Sequence, residues 1–183
     1  MAATFTFDED TGTATGSPAK GTTRTSPATD ANWKNSGVVT DAYSSYPITA
    51  GNNGFQKAIF GHFSVTFNQI SAGLFAHTAT SFAANLTLKG IKAITQDTDR
   101  WLYVTPSATA DTNLTVDMTT AIAIGSGVAI WFGATGPEAT GKAATMATNP
   151  CYTVFLTTQL QTAAGAAAGD TAQVTLTLQY NEN

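Results

Sequence analysis

The side chains of this chain that could carry chemistry are few, and they are not grouped as a catalytic site requires. The sequence has two histidines, His62 and His77, and both fall on predicted strands with no Cys or carboxylate at ligand spacing. A histidine satisfied within a sheet is therefore favoured over a metal ligand. No G-x-S-x-G, H-E-x-x-H or phosphate-loop motif occurs. We assign no catalytic, cofactor-binding or metal-binding residue, and we expect no enzymatic activity.

The acidic residues and the single cysteine also predict no reaction site. Asp8-Glu9-Asp10 and the pair Asp97 and Asp99 could hold a calcium ion weakly through carboxylate oxygens, but solvated turns are the favoured interpretation. Nothing selects one carboxylate pair for glycoside hydrolysis among the twelve acidic residues. Cys151 begins an apolar run, so it is predicted to be a small buried hydrophobe rather than a reactive thiol.

The composition limits the classes of partner. Charged residues make up 11% of the chain and the net charge is -4, whereas an ordinary soluble protein has about 25% charged residues. No stripe of Lys and Arg could neutralise phosphates, and no apolar run is long enough to span a bilayer. We therefore expect no nucleic acid, membrane or small-molecule substrate as partner. A surface poor in charge favours a protein that packs among neighbours.

The pattern of apolar residues predicts an all-β fold. The stretch Lys57–Ile70 alternates with a period of two and is predicted to be one long central strand. A turn is predicted at Ser71–Gly73, and the stretches around Tyr152–Gln161 and Val174–Tyr180 alternate as strands with one polar face. Eight to ten strands without an amphipathic helix predict an antiparallel β-sandwich, of jelly-roll or immunoglobulin-like type.

The first part of the chain differs from the rest. After a short strand at Thr4–Phe7, residues Asp8–Ser36 are rich in Thr, Ala, Gly, Ser and Pro and lack periodicity. We therefore divide the chain into residues 1–36, a strand with an extended N-terminal arm or long loop, and residues 37–183, the sandwich domain. Trp33 is the candidate anchor of the arm on a neighbouring subunit, and the alternative is that it caps the domain's own core.

The segment Ala121–Phe132 is apolar outside Gly125-Ser126-Gly127 and is predicted to be a hairpin with both faces dry. Either the hairpin crosses the domain interior or its outer face packs on another chain. The candidate interaction residues here are Ile124, Ile130 and Trp131.

Four segments resemble small virion structural proteins of tailed bacteriophages. They are Pro47–Asn53, Phe67–Ser71, Leu86–Gly90 and Thr175–Glu182, and together they cover roughly residues 46 to 183 and leave the arm unmatched. These are packing and turn residues, so the resemblance transfers no active site. It implies a protein on the virion, at the capsid or at the tail.

Three functions follow as expectations. The first is a capsid decoration protein that binds the head lattice, with the major capsid protein and copies of itself as partners. The second is a tail, baseplate or fibre component whose partners are tail proteins. The third is a carbohydrate-binding module that uses Trp101 and Tyr103, or Trp131, as stacking platforms.

Overall fold

The computed structural model describes residues 3–11, 23–25, 33–37, 41–64, 67–78, 82–90, 108–110, 112, 114, 116–137, 141–154, 156–167 and 174–183. Within them every regular element is a β-strand except one 3-10 turn at Tyr43–Ser45. The predicted all-β class is confirmed. The strands are β1 Thr4–Thr11, β2 Thr23–Thr25, β3 Lys57–Ser64, β4 Ile70–His77, β5 Leu86–Gly90, β6 Val116–Asp117, β7 Val128–Ala129, β8 Phe132–Gly133, β9 Thr145–Met146, β10 Cys151–Thr153, β11 Leu156–Thr162 and β12 Leu176–Glu182.

The strands form two sheets in which the pairs are antiparallel. The larger sheet has eight strands in the order β2-β1-β3-β11-β5-β6, and β10 joins it by pairing with β3 and β8. The smaller sheet has the order β12-β4-β7, and β9 also pairs with β4. This sandwich-like arrangement agrees with the predicted fold.

The interior between the sheets is aromatic. The ring of Phe63 on β3 lies 5.0 Å from the ring of Phe5, 4.8 Å from Tyr180 and 5.9 Å from Phe132. Tyr180 belongs to the smaller sheet, so these contacts join the two sheets. Because burying one such side chain contributes about 1.5–3 kcal/mol, the cluster is a main source of stability. Its buried members are Phe63, Phe67, Ile70, Phe75, Leu114, Ile130, Phe132, Cys151, Val154 and Leu156.

Gly73 lets β4 approach this interior closely. A Cβ atom at Gly73 would lie 2.6 Å from Cγ1 of Ile130 and 2.7 Å from Cζ of Phe132. Such distances are too short for carbon atoms, so any side chain at this position would displace the smaller sheet from the buried side chains.

The prediction of one long strand at Lys57–Ile70 is wrong. β3 ends at Ser64 and β4 begins at Ile70, and the predicted turn at Ser71–Gly73 lies inside β4. Ala72 has a φ of 51°, which is a local irregularity of the strand and not the start of a new one. The alternation continues beyond the end of β3, because Phe67 is apolar at the parity of Ile59 and Phe63, so the pattern did not show where pairing ends.

The strand predicted around Tyr152–Gln161 is two strands, β10 and β11, and their polar residues do not face water. Thr157 and Gln159 are fully buried. Nε2 of Gln159 donates to the carbonyl oxygens of Gly54 at 3.0 Å and Thr109 at 2.9 Å. Because hydrogen bonds replace water for this amide, a polar alternation on β11 is compatible with burial on both faces.

The predicted arm begins later than Asp8. β1 continues to Thr11, and its ladder with β3 runs from Thr4 to Asp10. β2 then pairs with the end of β1. The arm had been predicted to begin at Asp8 because the sequence from there on is rich in Thr, Ala, Gly, Ser and Pro and lacks periodicity.

Candidate functional site

The tip loop, Ile122–Val128, lies at the end of the smaller sheet. Ile122 exchanges two backbone hydrogen bonds with His77, at 3.0 and 3.1 Å, and Val128 pairs with Phe75. Between these ends Gly125 has a φ of 87°, and its N–H donates to Oε1 of Gln179 at 2.9 Å. Both ends of the loop are therefore fixed to the sheet.

The tip loop presents one large apolar side chain to solvent. Ile124 is 67% exposed, more than any other large apolar residue in the part of the chain that the structure describes. Ile124 is therefore the candidate contact residue of this segment.

The other two candidates of this segment lie inside. Ile130 is 3% exposed, and Trp131 is partly buried against the main core cluster. The predicted hairpin is also wrong, because β7 pairs with β4 whereas β8 pairs with β10. The apolar run does not have two buried faces, because Ile124 in its first half is exposed and only its second half enters the domain at Ile130. Trp131, the candidate stacking platform, is partly buried.

Trp33 packs on its own domain. Its ring lies against a cluster whose buried members are Leu88, Met118 and Leu160, and its Nε1 donates to Oγ1 of Thr158 at 3.2 Å. The structure agrees with the second interpretation of Trp33, in which this residue caps the core of its own domain.

The docked segment, residues 33–37 and 41–46, is held in place by a buried lysine. Nζ of Lys34 donates to the carbonyl oxygen of Asp41, and Oγ of Ser36 donates to Oδ2 of the same residue. The N–H of Asn35 donates to the carbonyl oxygen of Tyr46 at 2.8 Å. Burial, and next the positive charge of Lys57, lower the pKa of Lys34. The segment lacks strand pairing, so these contacts take its place.

Two acidic residues of β1, Asp8 and Glu9, are buried and paired. Oε1 of Glu9 lies 2.7 Å from Nζ of Lys57, and each of these side chains is at most 5% exposed. Oδ2 of Asp8 lies 3.3 Å from Nδ1 of His62, whose ring stacks on Tyr152 at 4.7 Å between centroids. The favoured expectation of a solvated turn at Asp8 and Glu9 is therefore wrong, because the ammonium group of Lys57 and the imidazole ring of His62, both on β3, lie against these carboxylates.

The remaining chemical candidates are the thiol of Cys151 and possible metal ligands. Cys151 is fully buried, and burial raises the pKa of its thiol to about 12, as expected of an inert core residue. Among the described residues no group of three or more His, Cys, Asp and Glu could hold a metal ion. The aromatic residues Trp101 and Tyr103 and the acidic pair Asp97 and Asp99 lie outside the described residues.

Two exposed tyrosines were missed by the sequence reasoning. Tyr43 and Tyr46 flank the 3-10 turn of the docked segment and are 54% and 42% exposed. The usable signal was local. In the sequence Tyr43 lies among Asp41, Ala42, Ser44 and Ser45, which form no apolar periodic pattern.

Searches against protein-family models, curated proteins and solved structures find no match to this chain. Among the residues described, the structure contains no helix with the length and apolar character that crossing a bilayer takes.

Proposed function

We propose that this chain is a non-enzymatic structural protein of a tailed-bacteriophage virion, and that it decorates the capsid by binding the head lattice. Its partners are then the major capsid protein and neighbouring copies of itself. The segments that resemble phage virion proteins support this proposal.

The main observation in support of the proposal is that many charged side chains are buried, which leaves few charges on the surface. Five of the nine charged side chains whose burial the structure describes are buried, whereas charged side chains are almost never fully buried unless they are paired. The remaining surface is dominated by Thr, Ser, Asn, Gln and Ala, which weakens repulsion between copies at high local density. The five are Asp8, Glu9, Lys34, Lys57 and Lys142.

The contact point that fits this function best is Ile124. An isoleucine that is 67% exposed at a fixed loop tip keeps its apolar area out of the domain core. Covering it against a capsid subunit contributes about 25 cal/mol per Å² of apolar surface, before ordering costs. The docked segment does not serve as this contact through Trp33, because Trp33 packs within its own domain.

The decisive experiment counts copies of the chain in density-purified phage particles from the strain that encodes it. Quantitative mass spectrometry against isotope-labelled peptides of this chain and of the major capsid protein gives the ratio. We expect hundreds of copies per particle, as a lattice of symmetric capsid sites requires. Absence from purified particles would refute the virion assignment altogether.

A tail, baseplate or fibre component is the second candidate, because the exposed Ile124 also suits a contact between a few symmetric copies. The same count separates the two, since a tail location gives a few to some dozens of copies. Immunogold labelling of the particles with an antibody to the purified chain then shows the head or the tail directly.

A further inference from the structure

Strand β12 is the long edge of the smaller sheet. In the order β12-β4-β7 it has β4 on one side, and no other strand of the described part of the chain pairs with it. All seven residues of β12 are at least partly exposed, whereas β3 and β11 in the middle of the larger sheet are mostly buried. β12 therefore forms an edge that another chain can reach.

The hydrogen bonds of β4 show which backbone groups of β12 point away from the sheet. His77 exchanges two backbone hydrogen bonds with Ile122, so its N–H and C=O groups point away from β12. Leu176 lies opposite His77, and Leu178 lies opposite Phe75. Because successive residues of a strand direct these groups to opposite sides, Leu176 and Leu178 both direct theirs away from β4. Within the described residues, nothing forms a hydrogen bond with these four groups.

The other ends of the two sheets lack such an edge. β2 and β6 end the larger sheet and β7 ends the smaller one, and they have three, two and two residues. β2 also contains Arg24, and β6 contains Asp117. Short length and charge are common means by which proteins keep a sheet edge from pairing with another chain. β12 has neither, since its single charged side chain, Glu182, accepts a hydrogen bond from the N–H of Ala3 at 2.8 Å.

This edge is complementary to a second copy of itself. In an antiparallel arrangement about a twofold axis at Thr177, Leu176 of one copy lies opposite Leu178 of the other, and each such pair exchanges two N–H···O bonds. Four hydrogen bonds then satisfy the outward groups of both copies. An axis nearer the C-terminus would cross the register shift between Gln179 and Asn181, where the ladder is irregular.

The side chains next to this axis favour a second copy as the occupant. Identical strands bring identical side chains close together at a twofold axis, so a charge there would repel its own copy. The five residues centred on Thr177 are uncharged, namely Thr175, Leu176, Thr177, Leu178 and Gln179.

We propose that two copies of this chain pair through β12, so that their smaller sheets, of four strands each, become one continuous sheet. The Cα atoms of the two Thr177 residues lie about 4.5 Å apart, as in a non-hydrogen-bonded antiparallel pair. The pairing rests on the geometry of the sheet and not on the virion function proposed above. Four backbone hydrogen bonds make a small interface, so we expect a Kd of about 100 μM.

Cysteine cross-linking of the full chain tests the register. Thr177→Cys places two thiols at the axis, where the Cα separation falls within the range of about 4.4–6.8 Å that a disulfide spans. Oxidation with copper phenanthroline should therefore give a linked dimer on a non-reducing gel. Asn181→Cys is the matched control. It is exposed on the same strand, but its two copies would lie more than about 20 Å apart and should not be linked.

Light scattering of the purified chain measures the pairing itself. The unmodified chain should have mostly the mass of a dimer at about 1 mM and mostly that of a monomer at about 10 μM. Thr177→Lys brings two ammonium groups together at the axis and should raise the Kd at least about tenfold. Thr177→Val has the same shape without a charge and should leave the Kd within about threefold of the original.

Three outcomes would each overturn the proposal. They are a monomer mass at about 1 mM, equal linking of the two cysteine variants, and an unchanged Kd in Thr177→Lys. The comparison of Thr177→Cys with Asn181→Cys decides the matter even if Thr177→Lys does not fold.

Discussion

The docked segment and the tip loop are both irregular chain outside the sheets, yet one turns its largest side chain inward and the other turns an isoleucine outward. Trp33 reaches a cluster of buried residues and finds Thr158 as a hydrogen-bond partner. Ile124 lies at the tip of a loop whose ends are fixed to β4. The size and apolar character of a side chain therefore do not determine by themselves whether it is buried. The way in which its segment is attached to the sheets matters as well.

The largest effect is expected where the apolar run that contains the tip loop enters the domain. Ile130→Asp places a carboxylate at a site that is 3% exposed and next to Gly73. Because a carboxylate loses its hydration at such a buried site, we expect a loss of about 4 kcal/mol or more in the free energy of unfolding, measured by urea denaturation of the isolated chain. A variant as stable as the original would show that Ile130 is not in the core.

The next effect concerns the charges beneath the docked segment. Glu9→Gln leaves the ammonium group of Lys57 buried without its partner and also removes the attraction of Glu9 for Lys34. We expect a loss of about 3 kcal/mol in the free energy of unfolding.

Two control variants sharpen this result. The double variant Glu9→Gln with Lys57→Met should recover most of the lost stability, because no unpaired charge remains at that site. Lys89→Met removes a partner of the exposed Asp117 and should cost less than about 1 kcal/mol. If the single and the double variant are equally unstable, packing and not charge explains the loss.

Trp33 itself should have an intermediate effect. Trp33→Ala removes its contact with the cluster around Leu88 and should lower the free energy of unfolding by about 2–3 kcal/mol, since the ring is only partly buried. Trp33→Phe keeps much of the apolar area and loses the bond to Thr158, so it should lower that free energy by about 1 kcal/mol. Both are measured by urea denaturation. Stability unchanged in Trp33→Ala would contradict the docking of this segment.

The smallest effect on stability is expected at Ile124. Ile124→Asp should change the free energy of unfolding by no more than about 0.5 kcal/mol, because the side chain is exposed. Under the proposed function the same variant should no longer attach to particles that lack this chain, as measured by co-sedimentation. Ile124→Val is the matched control and should still attach. If Ile124→Asp attached to the particles as well as the original chain does, the contact with the particle would have to lie elsewhere on the surface.

The sequence predicted which segments form strands better than it predicted where each strand ends or which side chains surround it. β12 follows the predicted alternation, because one of its faces packs on the interior and the other is polar. The break between β3 and β4 was missed, since a period of two says nothing of where a strand loses its partner. The buried charges of β1 were missed because pairing across strands is set by sheet register, which one sequence does not show. Ile124 and Ile130 could not be told apart for the same reason.

Two glycines described above predict how the sequence is free to vary. Gly73 faces atoms of Ile130 and Phe132 at distances that exclude even a methyl group, so homologues of this chain should keep glycine at this position. Gly125 has open space around it, and only its φ of 87° disfavours other residues. Asn and Asp tolerate that conformation and should replace Gly125 in some homologues. Glycine therefore occurs both in the core and in the tip loop, but evolution should conserve it strictly only at Gly73.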